Sequence, residues 1–151
     1  MDQIKILLVD DEEEFVRSLA ERIEMRELGS DIALNGEEAL ELVEGDTPDV
    51  MVLDLKMPGI DGMEVLRRVK KAYPDVQVII LTGHGSEQDE EEARRLGAFD
   101  YLQKPVDINE LVRYIKNAYM SKIQMSMAAA AFAEAGDFDT AKEIMDQDKD
   151  D

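Results

Sequence analysis

No cysteine occurs among the 151 residues, which leaves neither a disulfide framework nor a thiolate metal site. Basic residues are scarce too: 17 Lys and Arg stand against 36 Asp and Glu, a net charge of −19. Such a chain repels phosphate backbones and anionic lipid, so neither nucleic acid nor membrane is an expected partner. A cation or a basic protein face suits it better. No apolar run approaches the roughly 18 residues of a membrane span, and the longest are strand-sized. The opening MDQIKILLVDD has no basic leader and no small-residue cleavage site, so the expected location is the cytoplasm. His84 is the one histidine, which excludes a His cluster.

What is present is a regular alternation. The length suits one domain with a short appendage, and 44% hydrophobic content is ample for a core. Five short apolar runs read as strands: IKILLV (4–9), DIALN (31–35), VMVLDL (50–55), VQVIIL (76–81) and FDYLQ (99–103). The first, third and fourth are nearly continuous in Ile, Leu and Val, as central parallel strands covered on both faces should be. The other two suit the edges. Helix-start pairs stand between them: Asp11 with Glu14, Asn35 with Glu38, Asp61 with Glu64, Asp107 with Glu110, and a weaker Ser86 with Asp89. Apolar residues then recur at helical spacing, as in Phe15, Leu19 and Ile23. The pattern is (βα)5, an α/β doubly wound parallel sheet.

Ligands of such sheets lie beyond the carboxyl ends of the strands. The first strand runs into Asp10, Asp11 and Glu12, the third ends at Asp54, the fourth at Thr82 and the fifth at Lys104–Pro105. For any single acid the bland reading is a solvated surface charge; here it is the position that matters. Three aspartates on one rim cannot all stay ionised without a compensating cation. Mg²⁺ suits few carboxylates plus water and phosphate oxygens. A carboxylate beside it can attack phosphorus, while an ammonium and a hydroxyl stabilise the transferring oxygens.

The segments VDDE, LDLKMPGIDG, LTGHG and YLQKP, in this order, resemble the receiver domain of two-component response regulators over about residues 3–120. The resemblance implies a flavodoxin-like strand order 2-1-3-4-5. It makes Asp54 the acceptor of a phosphoryl group from a histidine kinase or phosphotransfer protein, in a regulator rather than an enzyme. Asp11 and the Lys56 main-chain carbonyl would bind Mg²⁺ beside Asp54, with Asp10 acting mainly through water. Thr82 would donate its hydroxyl to the phosphoryl group and Lys104 would pair with it. The Lys104–Pro105 peptide would be cis. Lys56 and His84 would occupy the two positions that tune acyl-phosphate lifetime in that family, with plain surface as the other reading of His84. Thr82 and Tyr101 would be the switch pair, although a tyrosine on an edge strand is also simply a half-buried residue. Asp11 is expected to cap the first helix as well.

Between Glu87 and Leu96 only Ala93 and Leu96 are apolar, so that helix is thinly anchored. Phosphorylation is expected to shift the face made by residues 86–119 and so control a protein target, with a homodimer through that face or the tail as one form of output.

The expected division is a receiver at 1–120 and an acidic helical extension at 121–151, with three Lys against eight acids. That charge and length exclude a DNA-binding output domain. AFAEAGDFDTAKEIM (131–145) resembles part of a tetratricopeptide-type hairpin, which would need a partner surface. No Pro or Gly occurs from Val106 to Ala135, so the fifth helix is also free to run on into the extension. Three other functions fit less well. A haloacid-dehalogenase-type phosphatase wants an Asp two residues after its nucleophile, whereas Asp10 is followed there by Glu12. A flavodoxin-like module wants a phosphate-cradling loop where this chain has DDEEE. A degenerate receiver scaffold would lack part of the pocket, and nothing in it is missing.

Overall fold

The computed structural model describes residues 3–134. Strands and helices alternate: β1 (Ile6–Val9), α1 (Glu13–Glu24), β2 (Ser30–Ala33), α2 (Gly36–Gly45), β3 (Val50–Leu53), α3 (Gly62–Ala72), β4 (Gln77–Thr82), α4 (Glu87–Arg95), β5 (Asp100–Gln103) and α5 (Ile108–Glu134). All neighbouring strands are parallel, in the order β2-β1-β3-β4-β5. Every residue of β1, β3 and β4 is buried, whereas β2 and β5 are partly exposed, which matches their places at the centre and the edges.

Side chains alternate across the pleat, so each strand feeds two cores. Leu7, Val9, Met51, Leu53, Val78 and Ile80 pack with α2, α3 and α4. Ile6, Leu8, Val50, Val52, Ile79 and Leu81 pack with α1 and α5. Each fully buried aliphatic side chain contributes on the order of 1.5–3 kcal/mol. Only Ala93 of α4 is buried, so that helix adds little to either core.

Caps locate the helix starts. Asn35 accepts from the Glu38 N–H at 2.8 Å and Asp61 from the Glu64 N–H at 3.0 Å. Asp107 accepts from the Asn109 N–H at 2.8 Å. Ser86 and Asp89, the weakest pair by sequence, form a complete capping box. Asp11 does not cap α1: the N-cap residue is Glu12, with no side-chain cap. The Asp10 carboxylate already accepts the Glu12 N–H at 2.9 Å, so the chain bends at Asp11 and the helix begins one residue later than expected.

Lys70 is a buried cation whose place no local pattern reveals. It is 2% exposed, and its ammonium donates to the Pro74 and Val76 carbonyls at 2.8 and 2.9 Å, holding the α3–β4 turn. Helix α5 crosses residue 120, the expected domain boundary, without a break. Lys122 pairs with Asp49, which also accepts the Lys5 N–H, so the start of the extension is tied to the base of the sheet. Most of the expected hairpin at 131–145 lies outside the described residues. Among the described residues, no helix is long and apolar enough to cross a membrane.

Candidate functional site

Register brings the site together. Val9 pairs with Leu53, and Thr82 pairs with Gln103, so the residues just past these pairs share one rim. Backbone bonds extend the alignment by one residue: the Asp54 N–H donates to the Val9 carbonyl at 3.0 Å and the Lys104 N–H to the Thr82 carbonyl at 3.0 Å. The rim lies at the carboxyl edge, where β1 and β3 lead away in opposite directions across the sheet, the expected crevice of a doubly wound fold. Gly62 closes one side. A Cβ there would lie 2.1 Å from the Asp54 carbonyl oxygen, so only glycine lets α3 begin this close to β3.

Asp10 and Asp54 are 4% and 5% exposed, and Lys104 reaches between them. Its ammonium lies 2.7 Å from Asp10 Oδ2, 3.0 Å from Glu12 Oε1 and 3.8 Å from Asp54 Oδ2. It also sits 4.2 Å from the centroid of the Phe15 ring. Burial raises the Asp10 carboxyl above its usual range; the bonds from Lys104 and the Glu12 N–H offset part of this, and the Asp54 charge adds to it. Burial pulls the Lys104 ammonium down, but its bonds to Asp10 and Glu12 outweigh that, and the net displacement is upward.

Oxygens of Asp10, Glu12 and Asp54 lie within 4.8 Å of one another. A set of hard carboxylate donors with no nitrogen or sulfur fits Mg²⁺. Asp11 is exposed and outside this trio, whereas Glu12 is in it. The DDEEE run hid Glu12, since acids in a row ordinarily face water. Phe15 was legible only as the first apolar position of α1.

The remaining candidates surround this centre. Thr82 is fully buried, and its hydroxyl accepts the His84 N–H at 3.4 Å. The Lys56 N–H donates to Asp54 Oδ1 at 3.4 Å, while the Lys56 ammonium lies 3.7 Å from Asp89. The side chains of Lys56 and His84 are exposed. Tyr101 is buried, 8% exposed, with its ring in the core on the α4 side. The Lys104–Pro105 peptide is cis.

The family profile described as response regulator receiver domain matches residues 6–116. Sporulation initiation phosphotransferase F of Bacillus subtilis is 38% identical over 112 residues, covering 74% of this chain and 90% of that protein. The DNA-binding transcriptional regulator NtrC of Escherichia coli is 44% identical over 84 residues, 56% of this chain but 18% of that protein. The chain spans between 18% and 30% of several longer curated relatives. Among solved structures, a receiver domain from Clostridium thermocellum superposes with a TM-score of 0.77 at 36% identity, over 81% of this chain and 98% of that one. Sheet order, rim chemistry and these likenesses agree, and the chain belongs to the receiver-domain family of response regulators, the phosphorylation-dependent switches of two-component signalling.

Proposed function

We propose that Asp54 is the phosphoacceptor and that Lys104, Thr82 and Tyr101 convert its modification into a change of surface. The observation that carries this reading is a nearly buried carboxylate at the end of a central strand, 3.8 Å from a nearly buried ammonium. An Asp54 oxygen attacks the phosphorus of a phosphohistidine on a histidine kinase or phosphotransfer protein. The new P–O bond forms as the P–N bond breaks, and the imidazole leaves with the electron pair and takes up a proton.

Bound Mg²⁺ would offset the clustered carboxylates and the charge on the phosphoryl oxygens. Asp10, Glu12 and Asp54 are the side chains grouped to hold it. Asp11 and the Lys56 carbonyl are the further ligands implied by the family pattern. Lys104 neutralises charge on the phosphoryl group, and Thr82 donates its hydroxyl to the same group. Lys56 and His84, both exposed, shield or guide the water that hydrolyses the acyl phosphate. The face at 86–119, built on the thinly anchored α4, presents the change to a protein target or a second copy. The extension at 121–151 is a further surface for such a contact.

Intact mass after incubation with Mg²⁺ and acetyl phosphate, or with a phosphorylated kinase, tests the assignment. One added phosphoryl group, absent in Asp54→Asn, is the expected result. An adduct of the same yield in Asp54→Asn would overturn it.

A further inference from the structure

We propose that Gly85 is a positioning residue for Tyr101, serving by the volume it leaves free. An ideal Cβ at position 85 would lie 1.4 Å from Tyr101 Oη, 2.7 Å from Cζ and 3.0 Å from Thr82 Cγ2. The phenol therefore occupies the space that any other residue at 85 would fill. Conformation does not demand glycine here, because the Gly85 backbone lies outside the left-handed region that glycine favours. Gly59, at φ 77°, is the contrasting case. Gly83 is a contrast of another kind, since a Cβ there would approach nothing closer than the Lys104 side chain at 3.9 Å.

The inward position of Tyr101 is finely balanced. The ring gains burial in the core on the α4 side, yet Tyr101 Oη has no hydrogen-bond partner among the described residues. A buried hydroxyl left unpaired is unfavourable, and turning outward would return it to water. One methyl group at 85 is then enough to exclude the inward ring. Alanine is compatible with the backbone, so the expected consequence is expulsion of Tyr101, with no more than a few tenths of an ångström of adjustment at the Thr82 methyl. The consequence for signalling rests on the reading of Thr82 and Tyr101 as the switch pair; the spatial claim stands on the contact alone.

The test uses the full chain carrying Gly85→Ala, Tyr101→Ala or both. In the wild-type background Gly85→Ala lowers the melting temperature. In the Tyr101→Ala background the loss is much smaller, because only the 3.0 Å approach to the Thr82 methyl remains and alanine restricts the unfolded chain more than glycine does. With 3-fluorotyrosine labelling, assigned through Tyr101→Phe, Gly85→Ala moves the Tyr101 resonance to a solvent-exposed position. An equal loss of melting temperature in both backgrounds, or an unmoved resonance, would overturn the proposal.

Hydrogen exchange across α4 with Mg²⁺ and beryllofluoride, a phosphoryl mimic, then reads the output. A response present in wild type and lost in Gly85→Ala, with phosphoryl uptake by mass unchanged, supports the link from Gly85 to signalling. A response retained in full by Gly85→Ala overturns that link. No response in wild type overturns the switch reading itself, while the melting and fluorine results still judge the contact.

Discussion

Replacing Phe15 by Leu removes the aromatic face over which the Lys104 ammonium sits, 4.2 Å from the ring centroid. A cation over an aromatic face is worth about 0.5–1 kcal/mol at exposed sites and about 2 kcal/mol when desolvated. The Lys104 side chain is 13% exposed, so the expected loss is about 1–2 kcal/mol. For a chain of this size that is a fall in melting temperature of about 2–8 °C. Leu keeps most of the apolar burial, and Phe15→Trp should restore stability where Phe15→Leu does not. The contribution exists only while Lys104 is charged. Because its folded pKa is raised above the ordinary 10.5, the stabilisation is fully present below pH 10.5 and is lost as pH rises through the folded value. Thermal melts of wild type and Phe15→Leu should therefore stay separated by a constant gap from neutrality to pH 10, and above pH 10.5 the gap should narrow to the packing cost alone. Melts of Lys104→Met with and without Phe15→Leu supply the control, since in that background only the packing cost of Phe15→Leu remains. Coupling between the two sites below about 0.5 kcal/mol would refute the reasoning.

Two further outcomes follow from packing and capping. Ile115 is fully buried where α5 meets the sheet, and Ile115→Ala should cost about 2–5 kcal/mol by denaturant unfolding with an unchanged m-value. Asn35→Ala removes the 2.8 Å bond to the Glu38 N–H and should cost about 1 kcal/mol, with faster amide exchange confined to the first turn of α2.

Much of the fold was legible in the chain. The near-continuous Ile, Leu and Val of β1, β3 and β4 could only be satisfied by cover on both faces, and all three strands are buried throughout. Asn35, Asp61, Asp107 and Ser86 mark their helix starts because a cap is a bond of two or three residues' reach, which local sequence contains. Asp11 is where that reasoning missed. Whether Asp10 or Asp11 supplies the oxygen near the start of α1 depends on which carboxylate is turned toward Lys104, 94 residues away from Asp10.

By itself, then, the sequence determined the alternation of elements, the doubly wound sheet and the identity of the groups at the strand ends. Each follows from periodicity, local capping and the rule that parallel strands end on one rim. The tertiary structure decided which of those groups meet. It placed Glu12 rather than Asp11 with Asp10 and Asp54, laid Lys104 on Phe15, buried Lys70 against two carbonyls and put the Tyr101 phenol in the space beside Gly85. Apart from the Lys70 bonds, which close a turn four to six residues away, these are contacts between groups far apart in the chain or turned by a single bend. Their partners are chosen by strand register and by competition for buried volume, neither of which a local pattern contains.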